Sequence, residues 1–274
     1  MQKVCMTIAG LDPSGGAGIV ADIKTFRAFD CFATVAITSI TFQNTQGVFG
    51  AVHQSAETVR NQILPILDDF EVSAVKTGML PTAEIIREVG KVAAEYSLKN
   101  FVIDPVVRST SGYDLIDDDA LRSLTMDLFP IALIVTPNIP EAERICRIRI
   151  QSIEDIKFAG KEILKLGPKS VLIKGGHIPL SKLPDDEVIS VDENDTELKA
   201  LDFLFFNDTL TIFASPYMRT QATHGTGCVL SSAITACIAK GADLRQAVLQ
   251  AKKFVTNAIK TAPLMGKGYS PINV

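Results

Sequence analysis

The strongest constraint on the fold is a repeated alternation of short apolar segments with longer amphipathic ones. Segments such as KVCMTIA (3–9), EVSAVKTG (71–78) and SVLIKGGH (170–177) have the length and composition of buried β-strands. The segments between them have helical periodicity. This alternation predicts right-handed β-α-β units around a mostly parallel sheet, so we expect one α/β domain over residues 1–274.

Four further local predictions follow from the same pattern. Residues 56–70 are predicted to be helical, with a kink or interruption at Pro65 because proline lacks the N–H that a helix interior needs. Residues 190–215 are predicted to form two or three strands, and the last sixty residues two helices. The polar stretches 179–187 and 191–199 are predicted to be surface loops or hairpin tips.

Composition excludes several classes of protein. The net charge of −4 comes from mixed signs without a basic stripe, so nucleic acid is not an expected partner. No apolar run approaches the roughly 20 residues that cross a bilayer, and the N-terminal apolar run is too short for a signal peptide. The five cysteines have no C-x-x-C spacing. They are expected to be reduced thiols, which indicates a cytoplasmic protein without a zinc site or disulfide framework.

Polar and glycine residues follow the predicted strands at their carboxyl ends, where open parallel sheets bind ligands. Amides, carboxylates, a lysine and glycines therefore share one edge of the sheet, which suits a phosphate better than an apolar ligand. They are Asp12, Ser14, Gly15 and Gly16 after the first strand, Gln43, Asn44 and Thr45 after the second, Gly78 and Met79 after the third, Asp104 after the fourth, Asn138 and Glu141 after the fifth, and Lys174 to His177 after the sixth.

The first glycine cluster, AGLDPSGGAGIVAD (9–22), admits three interpretations. Residues 16–21 satisfy G-x-G-x-x-A, but the glycines begin too far beyond the strand, and Gln43 stands where a dinucleotide site needs an acidic residue. A Walker A motif is absent from the sequence. The glycines therefore either allow a tight turn or let a ligand lie against the backbone, with Asp22 facing that ligand.

Three polar positions each have a structural and a functional interpretation. Asp104 could be a turn former or a site residue. Asn138 and Glu141 match a helix capping box, and the Glu141 carboxylate, together with Asp104, could instead hold Mg²⁺ through water molecules. Lys174 either faces solvent or directs its charge at an anion.

The segment THGTGCVLSSAI (223–234) predicts an anion site. Gly225, Thr226 and Gly227 precede an apolar helix whose first backbone N–H groups have no partner within the helix, and these donors and the helix dipole attract anions. The same field is expected to lower the pKa of the Cys228 thiol. The alternative is that Cys228 is a small core residue, which is the expectation for Cys237.

Seven motifs follow one another along the chain: AGLDPSGGAGIVADIKTF, TFQNTQGV, VKTGML, VIDPVV, TPNIPEAE, VLIKGGH and THGTGCVLSSAI. In this order they resemble the motifs of the hydroxymethylpyrimidine/phosphomethylpyrimidine kinases of thiamine biosynthesis, in the ribokinase-like superfamily. The resemblance extends from about residue 3 to residue 262. It implies a three-layer α/β/α fold, ATP and Mg²⁺ as cofactors, and a homodimer.

The resemblance also implies roles for individual residues. The substrates would be 4-amino-5-hydroxymethyl-2-methylpyrimidine and then its monophosphate, and the Gln43 amide could both donate to and accept from the aminopyrimidine edge. Cys228 would be the base, where most sugar kinases of the superfamily have Asp. The other implied roles are pyrimidine contacts for Asp22, Met79 and Val106, an anion hole for Gly225, Thr226 and Gly227, ATP contacts for Lys174, Asn138 and Asp104, and magnesium binding for Glu141 and Asp104.

Two regions depart from the family pattern, and three other functions stay open. RSTSG (108–112) lacks the basic residue that many members carry before Ser-Gly, so no lid contact is expected there, and 178–200 is longer than usual. A pyridoxal kinase, or an enzyme with both activities, is the nearest alternative function. A non-catalytic nucleotide-binding protein and a dinucleotide oxidoreductase are the others.

Overall fold

The computed structural model describes residues 1–107, 114–179, 187–191 and 198–274. The strands in these ranges form one ten-stranded sheet. They are β1 (Val4–Leu11), β2 (Phe32–Asn44), β3 (Gly47–His53), β4 (Val72–Thr77), β5 (Phe101–Ile103), β6 (Ile134–Val135), β7 (Ser170–Pro179), β8 (Glu187–Ser190), β9 (Leu198–Phe206) and β10 (Thr209–Pro216).

The helices alternate with the strands as the sequence pattern predicts. α4 continues into a π-helical turn and a 3₁₀ turn that end at Ile131. The helices are α1 (Gly18–Ala28), α2 (Ala56–Asp69), α3 (Ala83–Glu95), α4 (Asp118–Ser123), α5 (Ile139–Cys146), α6 (Ile153–Leu164), α7 (Thr226–Ala239) and α8 (Leu244–Lys260).

The strand order is β3-β2-β1-β4-β5-β6-β7-β9-β10-β8. The six strands from β2 to β7 along this order pair in parallel, whereas the pairs β2–β3, β7–β9 and β9–β10 are antiparallel. The mostly parallel α/β/α fold is thereby confirmed, and so are the strands within 190–215 and the two C-terminal helices.

Helices cover both faces of the sheet and give two main apolar cores. α1, α7 and α8 pack on one face, where Leu204 and Phe213 meet Val229 and Val248. α2 to α6 pack on the other face around residues such as Ile103. Both faces of the central strands are therefore buried, which explains their nearly continuous apolar composition.

The expected interruption at Pro65 is wrong, because α2 runs without a break from Ala56 to Asp69. Pro65 lies on the exposed side of α2, and so does Asn61, whose carbonyl loses its helical partner. Water can bond that carbonyl, which lowers the cost of proline inside the helix.

Several predicted segments fall outside the described residues. RSTSG (108–112) is one, and residues 180–186 and 192–197, which carry most of the two predicted polar loops, are the others. Among the helices that the structure describes, none is both long and apolar enough to cross a bilayer.

Candidate active site

A cavity of about 560 Å³ opens at the carboxyl ends of the central parallel strands. The predicted site residues come from seven different segments of the chain, and the parallel topology brings their strand ends to one edge. All but one of them line this cavity: Gln43, Met79, Asp104, Val106, Asn138, Glu141, Lys174, Gly225, Thr226, Gly227 and Cys228.

The exception is Asp22, and its position corrects the expectation that it faces the ligand. Its side chain is fully buried in α1 below the cavity wall. Thr7 Oγ1 and Ser232 Oγ each donate a hydrogen bond of 2.6 Å to its carboxylate, and Lys76 Nζ lies 3.0 and 2.9 Å from its two oxygens. The Asp22 carboxylate therefore affects the cavity only indirectly, by holding the Lys76 side chain that lines it.

Lys76 was not identified from the sequence, although it lines the cavity. It is fully buried near the end of β4, and burial disfavours its charge. The Asp22 carboxylate outweighs that cost and holds the pKa of Lys76 above its usual value, so the side chain is an ammonium at neutral pH. The signal in the sequence was a lysine inside the otherwise apolar strand VSAVKT, where an unpaired charge would be costly.

The start of α7 has the geometry of an anion site. Gly225 is the N-cap, no side chain caps the helix, and its first turn has no acidic residue. Among the described residues, Thr223 O accepts the Thr226 N–H at 3.3 Å, while no partner is found for the N–H groups of Gly225, Gly227 and Cys228. Three free donors thus remain at the positive end of the helix dipole.

Gly225 is required by the backbone at this point. Its φ of +83° is in the left-handed region, and a Cβ there would lie 1.8 Å from the carbonyl oxygen of Gly16. The glycine loop around Gly16 and the start of α7 therefore approach each other more closely than a Cβ at position 225 would permit. This approach closes one wall of the cavity around the free N–H groups.

The expected lowering of the Cys228 pKa is wrong. Burial raises the pKa of this thiol to about 11; the Lys76 ammonium opposes the rise, and the carboxylates of Asp22 and Asp104 add to it. Desolvation and two negative charges thus outweigh the helix terminus. Cys228 is half-buried against the cavity and is a neutral thiol at pH 7 in the unliganded protein.

A second lysine–aspartate pair lies beside the free N–H groups. Lys174 Nζ, at the end of the parallel part of β7, is 2.7 Å from Asp104 Oδ1, and Ser231 Oγ donates to Asp104 Oδ2 at 3.2 Å. Burial opposes ionisation of Asp104, but the charges of Lys174 and Lys76 prevail and hold its pKa below the usual range. Both lysines therefore carry positive charge toward the same region of the cavity.

Asn138 and Glu141 form the capping box that the spacing predicts. The Asn138 side chain accepts the Glu141 N–H at 2.8 Å, and Glu141 Oε2 accepts the Asn138 N–H at 2.8 Å. Burial raises the pKa of Glu141 to about 7; Lys174 lowers it and Asp104 raises it. The capping role does not exclude a functional one, because Glu141 still lines the cavity.

Gln43 lies at one end of the cavity with two partners that the sequence did not reveal. Its side-chain nitrogen is 3.4 Å from His224 Nε2, and its side-chain oxygen is 3.1 Å from Thr41 Oγ1. His224 in turn is 2.7 Å from Asp12 Oδ2. His224 and Asp12 are 212 residues apart in the chain, so no local pattern could have predicted this contact.

The opposite end of the cavity is lined by apolar side chains and one buried ion pair. Val255 and Ile259 of α8 contribute apolar surface there. Lys252 Nζ lies 2.6 Å from Asp202 Oδ2, and Asp202 Oδ1 accepts the Gly175 N–H at 2.9 Å. The cavity therefore has a polar end at Gln43, a cationic centre and a more apolar end.

Comparison with known proteins identifies relatives over nearly the whole chain. The family model described as phosphomethylpyrimidine kinase matches residues 12–273. A hydroxymethylpyrimidine/phosphomethylpyrimidine kinase of Bacillus subtilis is 40% identical over 268 residues, which are 98% of this chain and 93% of that protein.

Solved structures of related kinases also match nearly the whole chain. A phosphomethylpyrimidine kinase from Clostridium difficile is 40% identical with a TM-score of 0.77, over 94% of this chain and 100% of the other. A Staphylococcus aureus pyridoxal kinase in complex with AMP-PCP and pyridoxal is 31% identical with a TM-score of 0.85, over 100% of this chain and 93% of that one.

Proposed function

Because this chain belongs to the phosphomethylpyrimidine kinase family, a group of phosphotransferases of thiamine biosynthesis, we propose how its site works. The terminal phosphoryl group of ATP is transferred to the hydroxymethyl group of 4-amino-5-hydroxymethyl-2-methylpyrimidine, and a second transfer converts the monophosphate to the diphosphate. The observation that carries this proposal is the set of free N–H groups at Gly225, Gly227 and Cys228, next to the Lys174 ammonium in a cavity that extends to Gln43.

The pyrimidine is assigned to the Gln43 end of the cavity. A carboxamide can donate to a ring nitrogen and accept from an exocyclic amine at the same time. Met79 and Val106 supply the apolar surface against which a flat ring packs. Asp22 contributes by holding Lys76 and does not touch the ring.

ATP is assigned to the remainder of the cavity. Val255 and Ile259 suit its base, and Lys174 suits its phosphates, with Asn138 and Asp104 close by. The AMP-PCP complex of the related pyridoxal kinase supports a nucleotide in this fold. The free N–H groups of α7 stabilise the negative charge on the phosphoryl group during its transfer. Such charge stabilisation is the main contribution that a protein makes to this reaction.

Magnesium is compatible with the residues present. No three ligand-type side chains meet in a metal cluster within the described ranges, so a direct protein cage is not available. Asp104 and Glu141 are buried oxygen donors near the phosphate region, and both already hold other partners. This arrangement fits Mg²⁺ held mainly through water, as that ion prefers. When bound, it would neutralise phosphate charge.

Cys228 is assigned as the base for the first transfer: its thiolate, the minor form at neutral pH because the pKa is about 11, takes the proton of the hydroxyl. It lies at the third helical position of α7, where an acceptor hydroxyl near the free N–H groups would meet it. In the second transfer the nucleophile is a phosphate oxygen, whose second pKa of about 6 leaves it ionised at neutral pH. Only the first transfer should therefore need proton removal.

A parallel kinase assay tests the proposal. Purified protein with ATP and Mg²⁺ is supplied with the pyrimidine alcohol, its monophosphate or pyridoxal, and ADP and phosphorylated product are measured. We expect turnover of both pyrimidines. Turnover of pyridoxal alone would overturn the proposal in favour of vitamin B6 salvage, to which the related pyridoxal kinase points. ATP binding without turnover of any substrate would indicate a non-catalytic protein.

The organisation of the molecule is part of the same proposal. Residues 1–274 form one kinase domain, which is supported by a single sheet that takes strands from most of the chain. A homodimer is supported by exposed apolar side chains on the β2–β3 hairpin, among them Phe42 and Phe49 at 54% and 70% exposure. Light scattering after size exclusion measures the mass directly. The five free thiols support a cytoplasmic location.

A further inference from the structure

The Asp12 carboxylate accepts hydrogen bonds from four groups. Ser14 donates from its backbone N–H and from Oγ, at 2.8 and 2.7 Å, and Ala17 N–H donates at 2.9 Å. His224 Nε2 is the fourth partner at 2.7 Å. Burial opposes ionisation, but the bonds from His224 and Ser14 hold the pKa of Asp12 below its usual range, so this carboxylate is an acceptor only.

An ionised carboxylate at this distance determines which nitrogen of His224 carries hydrogen. Nε2 must be protonated, because only a donor can approach an acceptor at 2.7 Å. The ring is 5% exposed. A Cβ on Gly16 would lie 2.3 Å from its Cδ2, and the His224 backbone N–H donates to Ser270 O at 3.2 Å. The Nε2–H group is therefore held in one place and one direction.

This N–H group constrains the carboxamide of Gln43. The protonated Nε2 has no lone pair, so a Gln43 NH₂ group 3.4 Å from it would find no acceptor there and would lie beside a second N–H donor. In the opposite assignment the Gln43 oxygen lies beside the His224 N–H, whose single hydrogen bonds Asp12 and reaches Gln43 only as a weaker second acceptor. Gln43 NH₂ then donates to Thr41 Oγ1, which donates to Leu11 O at 3.1 Å. Carboxamide oxygen and nitrogen have nearly the same shape, so the hydrogen-bond network decides between them.

We propose that the Asp12–His224 pair holds the Gln43 carboxamide in this single orientation and thereby makes the site select 4-aminopyrimidines over 4-oxopyrimidines. The proposal rests on the proposed function. A 4-aminopyrimidine presents a ring-nitrogen acceptor beside an amino donor, whereas a 4-oxopyrimidine presents a ring N–H donor beside a carbonyl acceptor. A freely rotating carboxamide would pair with either edge. A carboxamide held in one orientation pairs with the 4-aminopyrimidine edge. Against the 4-oxopyrimidine edge it places donor against donor and acceptor against acceptor.

His224 and Asp12 are positioning residues in this account, since they act on the substrate through Gln43. They contribute to the discrimination between the two pyrimidines. A site is highly selective when the wrong substrate leaves its buried polar groups without hydrogen-bond partners. A purely structural role would lower the turnover of both pyrimidines by the same factor. The ratio of the two specificity constants separates these roles.

The experiment measures kcat/KM for 4-amino-5-hydroxymethyl-2-methylpyrimidine and for its 4-oxo analogue. We expect the wild type to prefer the amino compound by about 100-fold or more. His224→Phe keeps an aromatic ring but removes the N–H, and the ratio should fall at least about tenfold. His224→Gln retains a donor near the Nε2 position, so its ratio should stay within about threefold of the wild type.

Thr41→Val provides an independent variant if His224→Phe does not fold. It leaves the Asp12–His224 pair intact but removes the second partner of Gln43, so the ratio should also fall. His53→Phe makes the same substitution at an exposed histidine that does not line the cavity, so it should leave the ratio unchanged. Equal losses on both compounds in His224→Phe and Thr41→Val would overturn the inference. A wild type that phosphorylates neither pyrimidine would overturn the proposed function, and this inference with it.

Discussion

Lys76 Nζ lies 3.0 and 2.9 Å from the two carboxylate oxygens of Asp22, and both side chains are completely buried. Lys76 borders the cavity, whereas Asp22 lies behind it and is held by Thr7 and Ser232. Ser231, the neighbour of Ser232 in α7, holds Asp104 of the second lysine pair. Two consecutive serines of one helix thus anchor the two carboxylates that keep cationic side chains beside the anion site.

Removing only the lysine of the first pair should be strongly destabilising. Lys76→Met leaves the Asp22 charge buried without a counter-ion, so we expect a loss of about 3–5 kcal/mol in the free energy of unfolding. Lys76→Met combined with Asp22→Asn removes both charges and should recover most of this loss. Urea titrations of the wild type, both single variants and the double variant measure the coupling. If the double variant is as unstable as Lys76→Met, the unpaired Asp22 charge is not the cause of the loss.

Gly225→Ala should impair phosphoryl transfer much more than it impairs folding. The added Cβ must move the Gly16 carbonyl and displace the free N–H groups, so kcat should fall about 10²-fold or more. Gly241→Ala is the matched control: Gly241 also has a positive φ, of +90°, but its Cβ position is open. The control should lose about 1–2 kcal/mol of stability and keep its kcat. Similar kinetic losses in both variants would argue against the anion hole.

Cys228→Ala should slow the first transfer far more than the second. We expect a loss of about 10²-fold or more with the pyrimidine alcohol and a few-fold loss with the monophosphate, because only the alcohol needs a base. Cys237→Ala, in the same helix but in the apolar core, should affect neither rate. Equal losses on both substrates in steady-state assays would instead make Cys228 a packing residue.

The pH dependence should also differ between the two transfers. With a Cys228 pKa of about 11, the thiolate fraction rises about tenfold per pH unit between pH 7 and 9. The rate with the alcohol should therefore rise with pH across this window. The rate with the monophosphate should be nearly flat, because that substrate is already ionised above its second pKa of about 6. Two flat profiles would show that the first transfer needs no thiolate.

Lys174→Met should weaken phosphoryl transfer with every acceptor. Loss of a largely buried cation at the proposed phosphate position is expected to lower kcat/KM for ATP by about 10²–10³-fold. Lys253→Met changes an exposed lysine and should be neutral in the same ATP titration. If the Lys174 variant binds and transfers normally, the Lys174–Asp104 pair has only a structural role.

Features that depend on neighbouring residues could be predicted from the sequence alone. The alternation of strands and helices, the Asn138–Glu141 capping box and the uncapped N-terminus of α7 all arise from contacts within a few residues, and the structure contains each of them. The rule that open parallel sheets bind ligands at the carboxyl ends of their strands indicated which strand ends meet at the cavity.

Features that depend on burial and distant contacts were decided by the tertiary structure. Asp22 does not face the cavity because α1 turns it toward Lys76, and the Cys228 pKa rises because α7 packs that thiol among Asp22, Asp104 and apolar groups. Desolvation is a property of the surrounding volume, and the Asp12–His224 contact joins residues 212 positions apart. The sequence thus determined which groups the site contains, and folding decided their charge and orientation.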